Sequence, residues 1–149
     1  MTPSILDLPA PPADARVRYG PGEQHFADLR CPAFSLEQGR TRYAPTLQRE
    51  SYPVVIGIHG GYWRARYGLD YFGHVCAALT AAGIATWNIE YRRLGDDGGG
   101  WPGTFEDVAL AADALRTVAT SYPLDLTRVY AVGHSAGGQL ALWLTGRHC

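Results

Sequence analysis

The chain has 149 residues, 46% hydrophobic and 18% charged, with a net charge of −1 at neutral pH. That suits one globular domain with a real core. It excludes the basic excess of a nucleic-acid binder and the polybasic stretches that seek anionic lipid, and no apolar run is long enough to cross a bilayer.

The N-terminus, Met1-Thr2-Pro3-Ser4-Ile5-Leu6-Asp7, lacks the basic start and apolar core of a secretion signal, so the expected location is cytoplasmic. Residues 1–16 carry four of the ten prolines and read as a loose or surface-draped arm, with the domain proper at 17–149. Short strand-like stretches follow at Val17-Arg18-Tyr19 and Phe26–Arg30, broken by the turn signal Gly20-Pro21-Gly22. Residues 32–52 are polar and irregular, and no element is expected there. Val54–Ile58 is a continuous apolar run, the mark of a strand buried on both faces. Residues 68–82 place Leu69, Phe72, Val75, Cys76 and Leu79 at helical spacing, with Gly83 as the stop. Ile84–Ile89 is the next strand. After Gly98-Gly99-Gly100 and Pro102, Thr104-Phe105-Glu106-Asp107 reads as a capping box, with Asp107 a cap residue. The helix it opens runs to about Ser121, with Val108, Ala111, Ala112, Leu115 and Val118 on one stripe. Strand Val129–Val132 and helix Gln139–Leu144 close the series. Strands and helices alternate three times after residue 53, which predicts an α/β fold: a mostly parallel sheet with helices on both faces.

Cys31, Cys76 and Cys149 have no C-x-x-C spacing and read as free thiols in a reducing compartment. No metal-ligand spacing stands out among the five histidines, so neither metal nor cofactor is expected.

Two motifs carry chemistry. Gly133-His134-Ser135-Ala136-Gly137 is a G-x-S-x-G between an apolar strand and a helix, the context of a nucleophile elbow. A serine at the tip of such a turn sits in strained backbone, and Gly133 and Gly137 avoid the resulting clashes. Its hydroxyl is the candidate nucleophile, with a helix N-terminus behind it to favour negative charge. His59-Gly60-Gly61-Tyr62-Trp63 follows the buried strand at 54–58, where the other wall of an oxyanion hole belongs. The expected donors are the backbone N–H groups of Ala136 and Gly61, with Tyr62 as a third. His59 reads as a structural residue bracing its loop with Gly60, because a base for Ser135 belongs later in the chain. His134 points away from its neighbour, and His148 lies about 20 Å along the helix. Trp63 and Tyr62 read equally well as lining of an aromatic pocket and as packing. Arg64, Arg66, Arg92 and Arg93 read as solvated loop charges before substrate-carboxylate ligands. Asp107, Asp113 and Asp125 read as cap, surface and turn residues, and none as a triad acid.

With both motifs in place, the chain resembles the N-terminal half of an α/β-hydrolase over residues 17–149. Its loop reads His-Gly-Gly-Tyr-Trp and not His-Gly-Gly-Gly, so it is more similar to the kynurenine formamidase (arylformamidase) group than to the hormone-sensitive-lipase-like esterases. The stretches Glu90-Tyr91-Arg92-Arg93 and Trp101-Pro102 fit the same order. The resemblance implies an eight-stranded sheet, a triad ordered serine, acid, histidine, and cofactor-free hydrolysis of a formamide or ester. The positions it implies for acid and histidine fall beyond Cys149. The expectation is therefore a partial domain that is inactive as it stands, or else a non-catalytic remnant or binding module. Small-molecule esters or formamides are the expected partners. Self-association is expected through an unpaired edge at 129–132 and the apolar surface of Leu140, Leu142, Trp143 and Leu144.

Overall fold

A computed structural model describes residues 4, 7–32 and 51–147. Most of the irregular stretch 32–52, together with His148 and Cys149, lies outside the described residues. Five strands form one sheet: β1 (Ala15–Arg18), β2 (Phe26–Arg30), β3 (Tyr52–Ile58), β4 (Ala85–Ile89) and β5 (Leu124–Gly133), in the order β1-β2-β4-β3-β5. β3 lies parallel to both β4 and β5, as crossover helices require. β2 runs antiparallel to β1 and to β4, so the sheet is mixed where a mostly parallel one is expected. The Gly20-Pro21-Gly22 turn is too short for a crossover and forces a hairpin. Alternation along a strand carries no information on its direction.

The helices are α1 (Gly73–Ala81), α2 (Gly103–Val118) and α3 (Ala136–Thr145). Side chains alternate across the sheet, and the two faces take different helices. Ala27, Leu29, Val54, Ile56, Ile58, Trp87 and Ile89 join Val108, Ala111, Leu115 and Leu140 in the main core, under α2 and α3. Trp87 donates its indole N–H to the Ala111 carbonyl at 2.9 Å, so even this apolar face leaves no buried donor unpaired there. The opposite face lies under α1, where a side chain at Gly57 would meet Phe72 and Cys76. Ahead of the strands, the described part of the arm at Pro11 and Asp14 is tied to the body. Arg30 donates to the Pro11 carbonyl at 2.7 Å, and Asp14 accepts from the Cys31 N–H at 2.7 Å. The strand at its end begins at Ala15.

Three local expectations are corrected. The helix over 68–82 is split into a 3₁₀ turn, Leu69–Phe72, and α1. Its first turn is pinned to the end of β4: Leu69 donates its N–H to Glu90, and its carbonyl accepts from Asn88. The capping box at Thr104–Asp107 does not form. The N-cap is Pro102, and the helix ends at Val118. The Thr104 hydroxyl instead bridges the Gly100 N–H and the Arg92 carbonyl. Asp107 is no cap but a buried hub, 1% exposed. It accepts from the Arg92 N–H at 2.8 Å, from the Arg92 guanidinium at 2.7 Å, and from His25 Nε2 at 2.9 Å. His25 Nδ1 accepts the Gly22 N–H, which places the ring proton on Nε2. Arg92 is therefore an internal partner, and Arg93 likewise pairs with Asp96 at 3.0 Å. Asp113, on the surface, pairs with Arg147.

β5 is the edge of the sheet among the described residues, with Val129, Tyr130 and Val132 between 38% and 57% exposed. Leu142 on α3 is 75% exposed. Of the helix residues expected to lie open, only Leu142 does: Leu140 is fully buried in the main core, and Trp143 and Leu144 are half-buried against it, because α3 packs that side onto the sheet.

Two predictions follow from the buried polar and sulfur groups. Asp107→Ala strands Arg92 and His25 without their anion, and should cost about 3–5 kcal/mol in urea denaturation; a loss below about 1 kcal/mol would show that Asp107 is not a hub. Burial pushes the Cys31 and Cys76 thiols up to about 11, above the ordinary value of about 8.5. Their contribution to stability is whole below the unfolded value and is lost as pH rises through the folded one. The melting temperature should therefore fall between pH 9 and 11, and both thiols should resist iodoacetamide at pH 8 until the chain unfolds.

Candidate active site

The site lies where β3 and β5 end side by side. Ile58 pairs with Gly133, and the His134 N–H extends the ladder to the Ile58 carbonyl at 3.2 Å. Beyond these strands, β3 runs into the loop at His59 and β5 into the turn at Ser135. Ligands collect at such carboxyl ends of parallel strands.

Ser135 stands between β5 and α3 with φ 53° and ψ −117°. That region is nearly closed to residues with a Cβ and stores about 1–3 kcal/mol. The strain lifts the side chain out of the turn, and Ser135 is exposed. The flanking glycines answer to contacts on the backbone itself. A Cβ on Gly133 would strike the Gly137 carbonyl, and one on Gly137 would strike the carbonyls of Ile58 and His59. α3 can start directly against both strand ends only if those positions are bare.

The loop from β3 is built to the same tolerance. A Cβ on Gly60 would lie 2.5 Å from the His134 carbonyl and 3.1 Å from Ser135 Cβ. The two motifs, 70-odd residues apart in sequence, thus touch at one end of the sheet. Gly61, Tyr62 and Trp63 all have positive φ, at 120°, 56° and 57°. Successive residues of this kind turn N–H groups to one side and make a concavity that favours anions. Among the described residues, the N–H groups of Gly61, Tyr62 and Ala136 have no protein acceptor. The Gly60 N–H is different, since it donates to the Tyr71 hydroxyl at 2.7 Å.

His59 is fully buried. Its Nε2 meets Glu90 Oε1 at 2.7 Å and its Nδ1 meets the Gly60 carbonyl at 2.8 Å. Both nitrogens face oxygen acceptors, so neither is free to take a proton from a serine. The ring stacks on Tyr91 at 4.4 Å, and the Tyr91 hydroxyl donates to the His59 carbonyl at 2.7 Å. Burial raises the Tyr91 phenol well above its usual range, which keeps it a neutral donor. Glu90, 5% exposed, also accepts the N–H groups of Leu69 and Tyr91. This carboxylate was not singled out from the sequence. The signal for it was its place directly after β4, beside the end of β3.

Trp63 is half-buried and packs against the core. It also lines an open groove of about 450 Å³ with Leu94, Trp101, Phe105 and Gln139. Gln139 is one helical turn past Ser135. Tyr62 is 72% exposed. Arg64 and Arg66 are exposed, away from the buried pairs that hold Arg92 and Arg93. Among the described residues, no group of three metal-ligating side chains comes together.

The stored strain is measurable. Ser135→Gly should raise stability by about 1 kcal/mol, because glycine adopts this backbone freely. A lower melting temperature for that variant would mean that the turn is not strained.

The BD-FAE family model matches residues 42–147. Among solved structures, a truncated carbohydrate esterase from gut microbiota is 26% identical, with 87% of this chain and 44% of that one covered, at a TM-score of 0.67. Esterase B from Lactobacillus rhamnosis is 28% identical, with 87% and 37% covered, at a TM-score of 0.67. A bifunctional GH43-CE protein of Bacteroides eggerthii is 27% identical, with 84% and 16% covered, at a TM-score of 0.64. The chain thus spans less than half the length of each. A search of the curated proteins finds no match. With most of its length covered by one family model, and its fold similar to those of solved esterases, the chain belongs to the BD-FAE family of esterase-like α/β-hydrolases.

Proposed function

We propose that Ser135 is the nucleophile of a serine-dependent hydrolase that cleaves small-molecule esters. The observation that carries this reading is the strained, exposed Ser135 packed beside the His59–Trp63 loop, with the N–H groups of Gly61, Tyr62 and Ala136 unengaged among the described residues. In this mechanism the Ser135 hydroxyl attacks the ester carbonyl carbon and a histidine takes its proton. The carbonyl oxygen gains the negative charge and rests on the N–H groups of Gly61, Tyr62 and Ala136. Collapse expels the alcohol, which carries off the proton, and leaves an acyl-serine. Water then releases the acid by the same steps. Each N–H aimed at the developing oxyanion is worth roughly 3–4 kcal/mol of barrier. Gly60, whose N–H is held by Tyr71, braces the loop and donates nothing to the oxyanion. The Trp63 groove takes the apolar part of the substrate.

The base is a histidine from outside the described residues. Within them, His59 has both nitrogens engaged, and His25, His74 and His134 bond to Asp107, the Leu8 carbonyl and Tyr71. Ester bonds are favoured over formamides by the esterase relatives. The His-Gly-Gly-Tyr-Trp loop keeps an aryl formamide as the second substrate to assay.

Hydrolysis of p-nitrophenyl acetate and butyrate, beside an aryl formamide, tests the proposal. Ser135→Ala should abolish turnover of whichever substrate is cleaved and should leave the fold cooperative. Hydrolysis undiminished in Ser135→Ala would overturn the nucleophile. Faster cleavage of the formamide than of the esters would overturn the substrate class alone.

A further inference from the structure

One side chain joins the two halves of the site, and neither motif contains it. Tyr71 sits in the 3₁₀ turn before α1. Its hydroxyl accepts the Gly60 N–H at 2.7 Å and lies 2.9 Å from His134 Nδ1. With one lone pair taken by Gly60, the phenol hydrogen is free to go to His134. Gly60 thus donates to Tyr71, and the phenol oxygen and His134 Nδ1 share a second hydrogen bond. Burial raises the Tyr71 phenol above its ordinary value, so the hydroxyl stays protonated and able to donate. The ring is itself held, edge-on to Phe72 at 6.2 Å and to His134 at 5.9 Å.

The consequence lies in what each partner precedes. Gly60 is the residue before Gly61, and His134 is the residue before Ser135. One phenol oxygen therefore ties the peptide that leads into the loop-side donors to the residue that leads into the nucleophile. Glu90 and Tyr91 hold the loop from beneath, through His59. Tyr71 is the lateral tie between loop and elbow. We propose that Tyr71 is a positioning residue, which sets the distance and angle between the Ser135 oxygen and the N–H groups of Gly61 and Tyr62. This inference rests on the esterase reading above. Tyr71 touches no reacting atom in it. An oxyanion forms only as the carbonyl is attacked, so a loosened loop should harm the transition state more than the bound ester.

The test is Tyr71→Phe, which keeps the ring and deletes both hydrogen bonds. The readouts are steady-state hydrolysis of p-nitrophenyl butyrate, inhibition by phenylboronic acid as a tetrahedral mimic, and hydrogen exchange of residues 59–63. The expected result is a kcat lower by about 10- to 100-fold, with KM within about twofold and boronic-acid affinity lower in proportion to kcat. Exchange at 59–63 should rise while the central strands stay protected. A raised KM with unchanged kcat, or kinetics and exchange both like the wild type, would overturn the inference. Should turnover be too slow to measure, boronic-acid affinity and exchange decide by the same criteria. If Tyr71→Phe does not fold, His134→Leu removes one of the two bonds and should show the same pattern at smaller size; wild-type behaviour there overturns the inference. Ser135→Ala separates the two claims. If it hydrolyses like the wild type, the esterase reading fails; if it is dead while Tyr71→Phe is normal, only the role of Tyr71 falls.

Discussion

Everything at the site depends on how closely α3 approaches the ends of β3 and β5. The Gly137 Cα lies against the carbonyls of Ile58 and His59, with no room for a methyl group. The same restriction holds between Gly133 and the Gly137 carbonyl, and between Gly60 and the His134 carbonyl. Three backbones meet here without side chains between them. The approach forces a turn too sharp for relaxed φ and ψ, and Ser135 absorbs the strain. A strained residue persists only if its surroundings over-determine it. The parallel ladder of β3 and β5 below, and α3 behind, supply that constraint.

Buried polar groups then brace the loops that the strands release. Glu90 gathers His59 and the N–H groups of Leu69 and Tyr91, so the end of β4, the 3₁₀ turn and the His59 loop are set by one carboxylate. Asp107 does the same for Arg92 and the hairpin residue His25. Such groups are costly to bury and more costly to leave unpaired. Their geometry is therefore narrow, and the loops they hold are narrow with it. The apolar face under α2 and α3 has the opposite character: it supplies bulk stabilisation and tolerates variation in shape.

The serine-esterase reading draws on both constraints. A nucleophile raised by strain is useful only beside donors already aimed at the oxyanion, because reorienting them during reaction would cost what they contribute. The run of positive φ at Gly61, Tyr62 and Trp63 holds those donors out, and the tie through Tyr71 holds the loop to the elbow.

Most of the elements and both motifs were legible in the sequence. A continuous apolar run marked β3, helical spacing marked α2, and the pairing of G-x-S-x-G with His-Gly-Gly marked the fold class, because each signal is local in the chain. Small residues at Gly60, Gly133 and Gly137 were legible as a requirement for space, though not what filled it. Only the tertiary structure decided strand direction at β1 and β2, since alternation is the same for a parallel or an antiparallel neighbour. It also decided the roles of Asp107, Glu90 and Tyr71. Local pattern made Asp107 a helix cap, but His25, 82 positions away, and Arg92 outcompete the helix terminus for its oxygens. The His59 partner of Glu90 and the His134 partner of Tyr71 are 31 and 63 residues distant. A polar side chain's function is set by whatever the folded chain brings within hydrogen-bonding reach, and no periodicity in the sequence encodes that.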